Sequence, residues 1–453
     1  MEEKSMIRDL TVGNPLKQLL KFSWPFVLAN LLQQLYNMAD MVIVGQFVGS
    51  AGLAAASLSG EIAIFFLFLS LGFSSAGQIV ISQHIGAGER DRLSRTIGTL
   101  FSFQFLMGAV LTVVALCICD WSIRAINMPA ESFDYAHDYA FTYFCGMIPV
   151  FGYNTVSSIL RGMGDSKRPF IFIAIAAVLN IILDLLFVGP MGLACFGAAL
   201  ATVISQTVSF VVSIIYLVHR KEEFGFDFRW KSFAIDRHEL GAIVKLGLPL
   251  SIQNGTISLS MLYINSFINS YGVVAAAATA VGNKVILVIT ICTTAMVTAG
   301  NSIVAQSFAA KKFRRVSETL LWILVVSCIF SAILSVLMLL FPETIFSFFD
   351  KDPEVLAMSH MYAPIAVISF FGFATRAAGF AFINGIGFSK FSFAAGITDG
   401  IILRIGLSLL FGIVMGMGIR GFWLGHALAG HAIGVLALIY YLTGKWKNRK
   451  LLV

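Results

Sequence analysis

Ser75-Ala-Gly-Gln-Ile-Val-Ile-Ser-Gln83 returns in the second half of the chain as Thr298-Ala-Gly-Asn-Ser-Ile-Val-Ala-Gln306. Both copies run straight into a basic loop, Arg90-Asp-Arg92 in one and Phe313-Arg-Arg315 in the other. Working outward, Lys21-Phe-Ser-Trp-Pro25 pairs with Lys245-Leu-Gly-Leu-Pro249, and Arg161-Gly-Met-Gly164 pairs with Asn384-Gly-Ile-Gly387. Chance similarity between apolar helices does not give four matches in one order at nearly one offset. The chain is an internal duplication, and each half is one structural unit.

The solvent for those units is lipid. Of 453 residues, 58% are hydrophobic and only 12% are charged, whereas soluble globular chains carry about 25% charged residues. A membrane span needs about 20 mostly apolar residues. Twelve such stretches are read at 17–45, 53–83, 93–119, 135–159, 168–189, 193–218, 241–269, 274–308, 316–341, 357–384, 391–415 and 420–443. The expected fold is therefore an all-α polytopic membrane protein of twelve transmembrane helices in two pseudo-symmetric six-helix lobes. Six spans per half leave both halves in the same orientation, a parallel repeat of the kind transporters use. The expected organisation is an N-terminal lobe at 1–218, a polar linker at 219–240 and a C-terminal lobe at 241–453. The first span is expected to remain as an anchor, because no cleavable signal pattern precedes it.

The net charge of +7 sorts by topology. Lys4, Arg8, Lys17 and Lys21 precede the first span, and further basic groups follow spans two, four, six, eight and ten and fill the tail. The opposite loops hold only Arg124, Lys351 and Arg420 among acids such as Asp134, Glu343 and Asp352. Positive charge stays inside, so both termini are expected to be cytoplasmic in an inner (plasma) membrane. The basic surplus then needs no nucleic-acid partner. The expected partners are small organic molecules and the bilayer, with the protein a monomer. No HExxH pattern and no GxxxxGK[ST] loop is present, and Ser74 and Ser75 have no nucleophile motif around them; neither an intramembrane enzyme nor an ATP-driven pump is expected. No cofactor is expected beyond a coupling ion, H⁺ or Na⁺.

Polar groups inside the spans carry the functional reading. Asn30, Gln33, Gln34, Asn37 and Asp40 form a stripe on one side of span one, with Tyr36 one turn from Asp40, as spacings of three and four place them. Such a stripe should line a wet cavity rather than face lipid. Away from the span ends, four acids lie inside the spans, Asp40, Glu61, Asp184 and Asp399, and intramembrane carboxylates are functional by default. Asn180 and Asp184 share a face of span five, about 18 and 24 Å from its cytoplasmic end, and Thr202 lies about 15 Å into span six from the other side; Asp40 falls further outward in span one unless a bend at Pro25 draws it in. Two carboxylates, an amide and a hydroxyl offer oxygen ligands to Na⁺, the only metal expected, or a place for a proton. A structural network joining spans one, five and six is the plainer alternative.

Glu61 and Lys284 are repeat mates. Snorkelling or local pairing is the plain use of each, and an ion pair closing the outer mouth is the functional one. Arg376 and Arg404 are expected to pair with Asp399 or backbone carbonyls, the alternative being anionic substrate groups. His426 and His431 are expected to be satisfied interior groups. Pro25 is expected to bend span one, since proline removes an i→i−4 hydrogen bond.

Trp24-Pro25, Asp40 with Gly45, Ala54-Ala-Ala56, Gln83 before Gly86-Ala-Gly88, and Arg161-Gly-Met-Gly-Asp165, in that order over nearly the whole chain, resemble the multidrug and toxic compound extrusion (MATE) family. The resemblance implies two lobes in a V around a central cavity, and cation-coupled antiport of bulky, often cationic organic compounds. It is closer to the DinF-like prokaryotic branch, which implies an ion-coupling site of Asp40, Asn180, Asp184 and Thr202. Tyr36, Tyr139 and Asn154 stand as neighbours, beside the cavity-lining Gln34 and Asn37. The NorM-like branch carries a glutamate in span seven where this chain has Ile257, which argues against a site of that type in the second lobe. A lipid-linked oligosaccharide flippase of related architecture is the alternative function; it would need a strongly cationic central cavity.

Overall fold

A computed structural model describes residues 6–126 and 128–452; Lys4, counted among the N-terminal basic residues, lies outside them. Among the described residues every regular element is a helix. The first half runs α1 (Pro15–Phe47), α2 (Ser50–Ala87), α3 (Arg90–Cys117), the short α4 (Cys119–Ala125), α5 (Ala130–Cys145), α6 (Met147–Gly162), α7 (Lys167–Val188), α8 (Ala194–His219) and the one-turn α9 (Lys221–Phe224). The second half runs α10 (Arg237–Asn269), α11 (Val273–Ala309), α12 (Phe313–Leu340), the short α13 (Pro342–Ser347), α14 (Pro353–Gly385), α15 (Ser389–Ile397), α16 (Gly406–Leu409), α17 (Ile419–Ala429) and α18 (Ala432–Leu442).

These helices supply the twelve spans, but not all as single rods. Nine segments of the described residues are long and apolar enough to cross a membrane by length and composition. The other three spans are α1, α10 and the pair α5–α6. The polar stripe lowers the apolar content of α1, and α10 carries Asn254, Ser258 and Asn265. Span four, expected as one helix over 135–159, is broken at Gly146, where a Cβ would lie 2.3 Å from the Val203 side chain on α8. Span eleven is also irregular. Its backbone widens into π-turns at Thr398–Ile405 and Leu410–Val414, on either side of α16. Span twelve divides into α17 and α18.

The duplication is visible in the backbone. α2 has 38 residues and α11 has 37, near 55 Å at 1.5 Å per residue, well over the roughly 30 Å hydrocarbon core. Each starts after a glycine with positive φ, Gly49 (84°) and Gly272 (102°). Each ends near a left-handed residue, Gly88 (79°) and its repeat mate Lys311 (56°). Only glycine adopts that conformation without steric cost, so Lys311 holds a turn that the first half gives to Gly88.

By packing, the chain forms two compact units. Of the described residues, one contains 6–9 and Pro25–Ser251; the other contains Leu10–Trp24 and Ile252–Leu452. The division falls inside α1 and α10 rather than at 219–240. In the first unit the linker is docked, not loose. Phe224 and Phe226 are buried, Phe226 lies 5.2 Å from Phe233 between ring centroids, and Ser102 Oγ donates to the Phe233 carbonyl at 2.6 Å. Glu239, before span seven, accepts from Thr96 Oγ1 at 2.8 Å and lies 2.9 Å from His84 Nε2. Burial opposes its ionisation, but the His84 and Thr96 contacts outweigh that and hold its carboxyl below the ordinary range.

In the second unit, Arg315 clamps the segment before α1. It donates to the carbonyls of Leu10, Val12 and Gly13 at 2.8–2.9 Å, while Leu10 N donates to Gln306 Oε1 at 2.9 Å. A basic residue that reads only as an orientation signal thus also fixes residues 10–13 ahead of α1. Each unit has its own apolar core. The first includes Val44, Phe66, Phe144 and Phe151, and the second includes Ile289, Phe346, Phe370 and Phe422.

Candidate ion-coupling site

The first unit brings the sequence-predicted quartet together. On α7, Asn180 and Asp184 are 2% and 0% exposed, one turn apart on one face. Asn180 Nδ2 donates to Thr202 Oγ1 on α8 at 3.3 Å. Asp40 on α1 is half-buried with Oδ1 fully enclosed. Its charge and that of Asp184 act directly on one another, and Tyr139 on α5 interacts electrostatically with both. Tyr36 is buried, hydrogen-bonded to Gln33 and within electrostatic reach of Asp40.

This cluster gathers unmet acceptor capacity. Both oxygens of Asp184, Oδ1 of Asp40 and Oδ1 of Asn180 are enclosed without a hydrogen-bond partner. No ion pair to Asp40 or Asp184 occurs among the described residues. A buried polar group without a partner costs about 1–3 kcal/mol, more when charged. Two carboxylates at close quarters cannot both remain ionised and bare in an apolar interior. A proton or a small hard cation would relieve the arrangement. The donor atoms are all oxygens, which hard cations prefer, and the Thr202 hydroxyl completes a set suited to Na⁺.

Other predicted residues lie around this centre with differing exposure. Gln34 and Asn154 are half-buried, and Asn37 is exposed. Sequence reasoning missed Tyr143 and Tyr153, both of which interact with Tyr36; Tyr153 Oη also donates to the Pro169 carbonyl at 3.2 Å. The signal available was the i,i+4 spacing of Tyr139 and Tyr143 on α5. Glu61 in the first unit and Lys284 in the second are each exposed on their own helix. Near the end of span three, Cys119, Asp120 and His137 offer ligand atoms within 4.8 Å of one another, but the His137 ring already faces Asp120 at 3.4 Å and Asp120 is exposed.

The second unit treats its acid differently. Asp399 accepts from Arg404 Nη2 at 2.9 Å and is ion-paired with Arg376 Nη2 at 3.2 Å, as expected. The π-turn explains the first contact. In an α-helix, residues five apart point about 140° away from each other, whereas i→i+5 bonding stacks Asp399 over Arg404. Arg404 Nη1 in turn lies 3.0 Å from the His426 ring, and His431 Nε2 lies 3.0 Å from the Ile368 carbonyl.

A family model described as MatE matches the chain twice, at residues 25–186 and 249–410, one match in each half. The chain is 30% identical over 437 residues to the probable multidrug resistance protein YoeA of Bacillus subtilis, covering 95% of this chain and 94% of that protein. It is 29% identical to the probable multidrug resistance protein YpnP of the same organism, over 98% of each chain. Its fold is similar to the solved structure of a MOP superfamily transporter from Pyrococcus furiosus, with a TM-score of 0.89 and 22% identity, covering 97% of this chain and 98% of that one.

Proposed function

The chain belongs to the MatE family of multidrug and toxic compound extrusion transporters, and from that premise we propose that it exports bulky, often cationic organic compounds by antiport against H⁺ or Na⁺. The observation that carries this reading is Asp184, a fully buried carboxylate with neither oxygen partnered, acting on Asp40 beside the Asn180–Thr202 pair. Loading this cluster with a cation lowers the electrostatic penalty of its two acids, and unloading restores it. A conformational equilibrium shifts only by the difference in a ligand's affinity for its two states. Ion binding at a site of such unmet demand is a source of that difference, and it supports alternating access in which ion and drug occupy the protein in turn.

The test is efflux of ethidium from proteoliposomes of the purified full chain under independently imposed H⁺ and Na⁺ gradients. One gradient should drive efflux when the other is absent; efflux indifferent to both would exclude coupling. In this reading the protein sits in the inner membrane with both termini and the 219–240 segment in the cytoplasm. Trp230 is 94% exposed, so a Trp230→Cys variant should react with an impermeant maleimide only after the cells are opened. Labelling from outside intact cells would invert the topology.

A further inference from the structure

Between spans three and four the first unit gathers three side chains of different chemistry. Cys119 and Asp120 open α4, and His137 lies on α5. Their ligand atoms all stand within 4.8 Å of one another. Cys119 is a free cysteine, 2% exposed, and among the described residues its thiol has no hydrogen-bond partner. The buried thiol of Cys195, by contrast, donates to the Gly52 carbonyl at 3.4 Å. Packing holds the backbone that presents the three, since Cys119, Ile123, Ala136 and Ala140 belong to one apolar core. The cluster is mounted on fixed helices, which suits a binding site better than a free loop.

The approach of His137 to Asp120 has the dimensions of a shared metal rather than of a hydrogen bond. Nε2 of His137 lies 3.4 Å from Asp120 Oδ1, longer than the roughly 2.7–3.2 Å usual for an N–H···O bond. Two ligands each about 2.1 Å from a tetrahedral Zn²⁺ stand about 3.4 Å apart. On the other side of the ring, Nδ1 faces Asp138 Oδ1 at 3.8 Å. A carboxylate there favours the proton on Nδ1 and leaves the Nε2 lone pair for a metal, as outer carboxylates do for histidine ligands. Phe141, one turn along α5, stacks on the ring with centroids 5.6 Å apart and planes 24° apart, and so limits its rotation. Sulfur, nitrogen and carboxylate oxygen together form a donor set of Zn²⁺, whereas Ca²⁺ and Mg²⁺ take oxygen.

We propose that Cys119, Asp120 and His137 form a Zn²⁺ site, with Cys119 Sγ, one Asp120 oxygen and His137 Nε2 as ligands and water in the fourth position. On binding, the Cys119 S–H bond breaks and a Zn–S bond forms, and the thiol proton passes to water. Sulfur and nitrogen on one Zn²⁺ stand about 3.6 Å apart, so side-chain movement of little more than about 1 Å closes the set. Asp120, 62% exposed by side chain, gives the ion its way in, and the buried sulfur gives it a soft anchor. The metal would join α4 to α5 and so pin the end of span three to the start of span four. This site is separate from the acids of Asp40 and Asp184 and takes a different kind of ion.

Titration of the full chain with Co²⁺, in phosphatidylcholine nanodiscs free of any polyhistidine tag, tests the proposal. One equivalent should bind with a thiolate-to-cobalt charge-transfer band in the near ultraviolet and the strong visible bands of four-coordination. Zn²⁺ should then abolish both by displacing the probe. Cys119→Ser should lose the charge-transfer band, and His137→Gln should lower the affinity by roughly tenfold or more. Asp138 is a positioning residue, so Asp138→Asn should keep the band and weaken binding about tenfold, as loss of an outer partner does. Cys117 is exposed, and Cys117→Ser should match the wild type. The His137 side chain is 39% exposed, so its variant keeps the test open should Cys119→Ser fail to fold. A wild type without the charge-transfer band, a band that persists in Cys119→Ser, or unchanged affinity in His137→Gln would each overturn the proposal. The assay contains neither gradient nor drug, so its outcome is independent of the export reading.

Discussion

Asp184 and Asp399 are both fully buried acids inside spans, one in each half of a duplicated fold. Among the described residues no cationic side chain pairs with Asp184, and both its oxygens lack partners. Around Asp399 stand two guanidiniums, one bonded at 2.9 Å and the other paired at 3.2 Å. The backbone frame was copied and the electrostatics were not. The lesson is that the presence of an intramembrane carboxylate does not mark an ion site; its availability does. Asp399 already has its counter-charge, so an incoming proton or Na⁺ would have to displace arginine. Asp184 has none, and a cation is what it lacks.

The comparison can be broken most sharply at its first member. Asp184→Asn and Asp40→Asn should each reduce gradient-driven ethidium efflux to the passive leak while the protein remains folded, as judged by size-exclusion profile. A variant that is still driven by the gradient would show that the cluster is only structural. The second member should respond in stability rather than in coupling. Asp399→Asn leaves two buried guanidiniums facing one another, and breaking a buried pair typically costs about 3–5 kcal/mol. A lower melting temperature is expected, with whatever efflux remains still driven by the same ion. Unchanged melting would mean that the arginines find other partners. The smallest effect is expected at Pro25, which lies inside α1 and leaves one carbonyl of that helix without its usual bond. If α1 bends there during transport, Pro25→Ala lowers efflux several-fold at constant protein level, because the restored i→i−4 hydrogen bond stiffens the bend point. Wild-type efflux would make Pro25 a packing residue.

Much of the architecture was legible because a membrane span is a simple demand on sequence: about 20 apolar residues. The repeat was legible because both halves keep the same turns, Gly164 and Gly387 with positive φ among them. Helical spacing and depth brought Asn180, Asp184 and Thr202 to one level, whereas depth alone set Asp40 further outward, and only the family resemblance joined it to them. The break at Gly146 and the π-turns of span eleven were not, because hydropathy carries no information about hydrogen-bond register. The π-turn that sets Asp399 on Arg404 therefore surfaced only in three dimensions. The docking of the linker was hidden in the same way: Phe224, Phe226 and Phe233 lie among polar and basic residues, and their burial depends on α3.

The central claim is that the coupling cation binds in the first unit. It is tested most directly by counting cations on the purified full chain, with proton release on adding ethidium and ²²Na⁺ binding measured side by side. The wild type should exchange one of the two ions, the Asp40→Asn, Asp184→Asn double variant should exchange neither, and Asp399→Asn should match the wild type. Exchange that survives in the double variant and vanishes in Asp399→Asn would place the coupling site in the second unit and contradict the account.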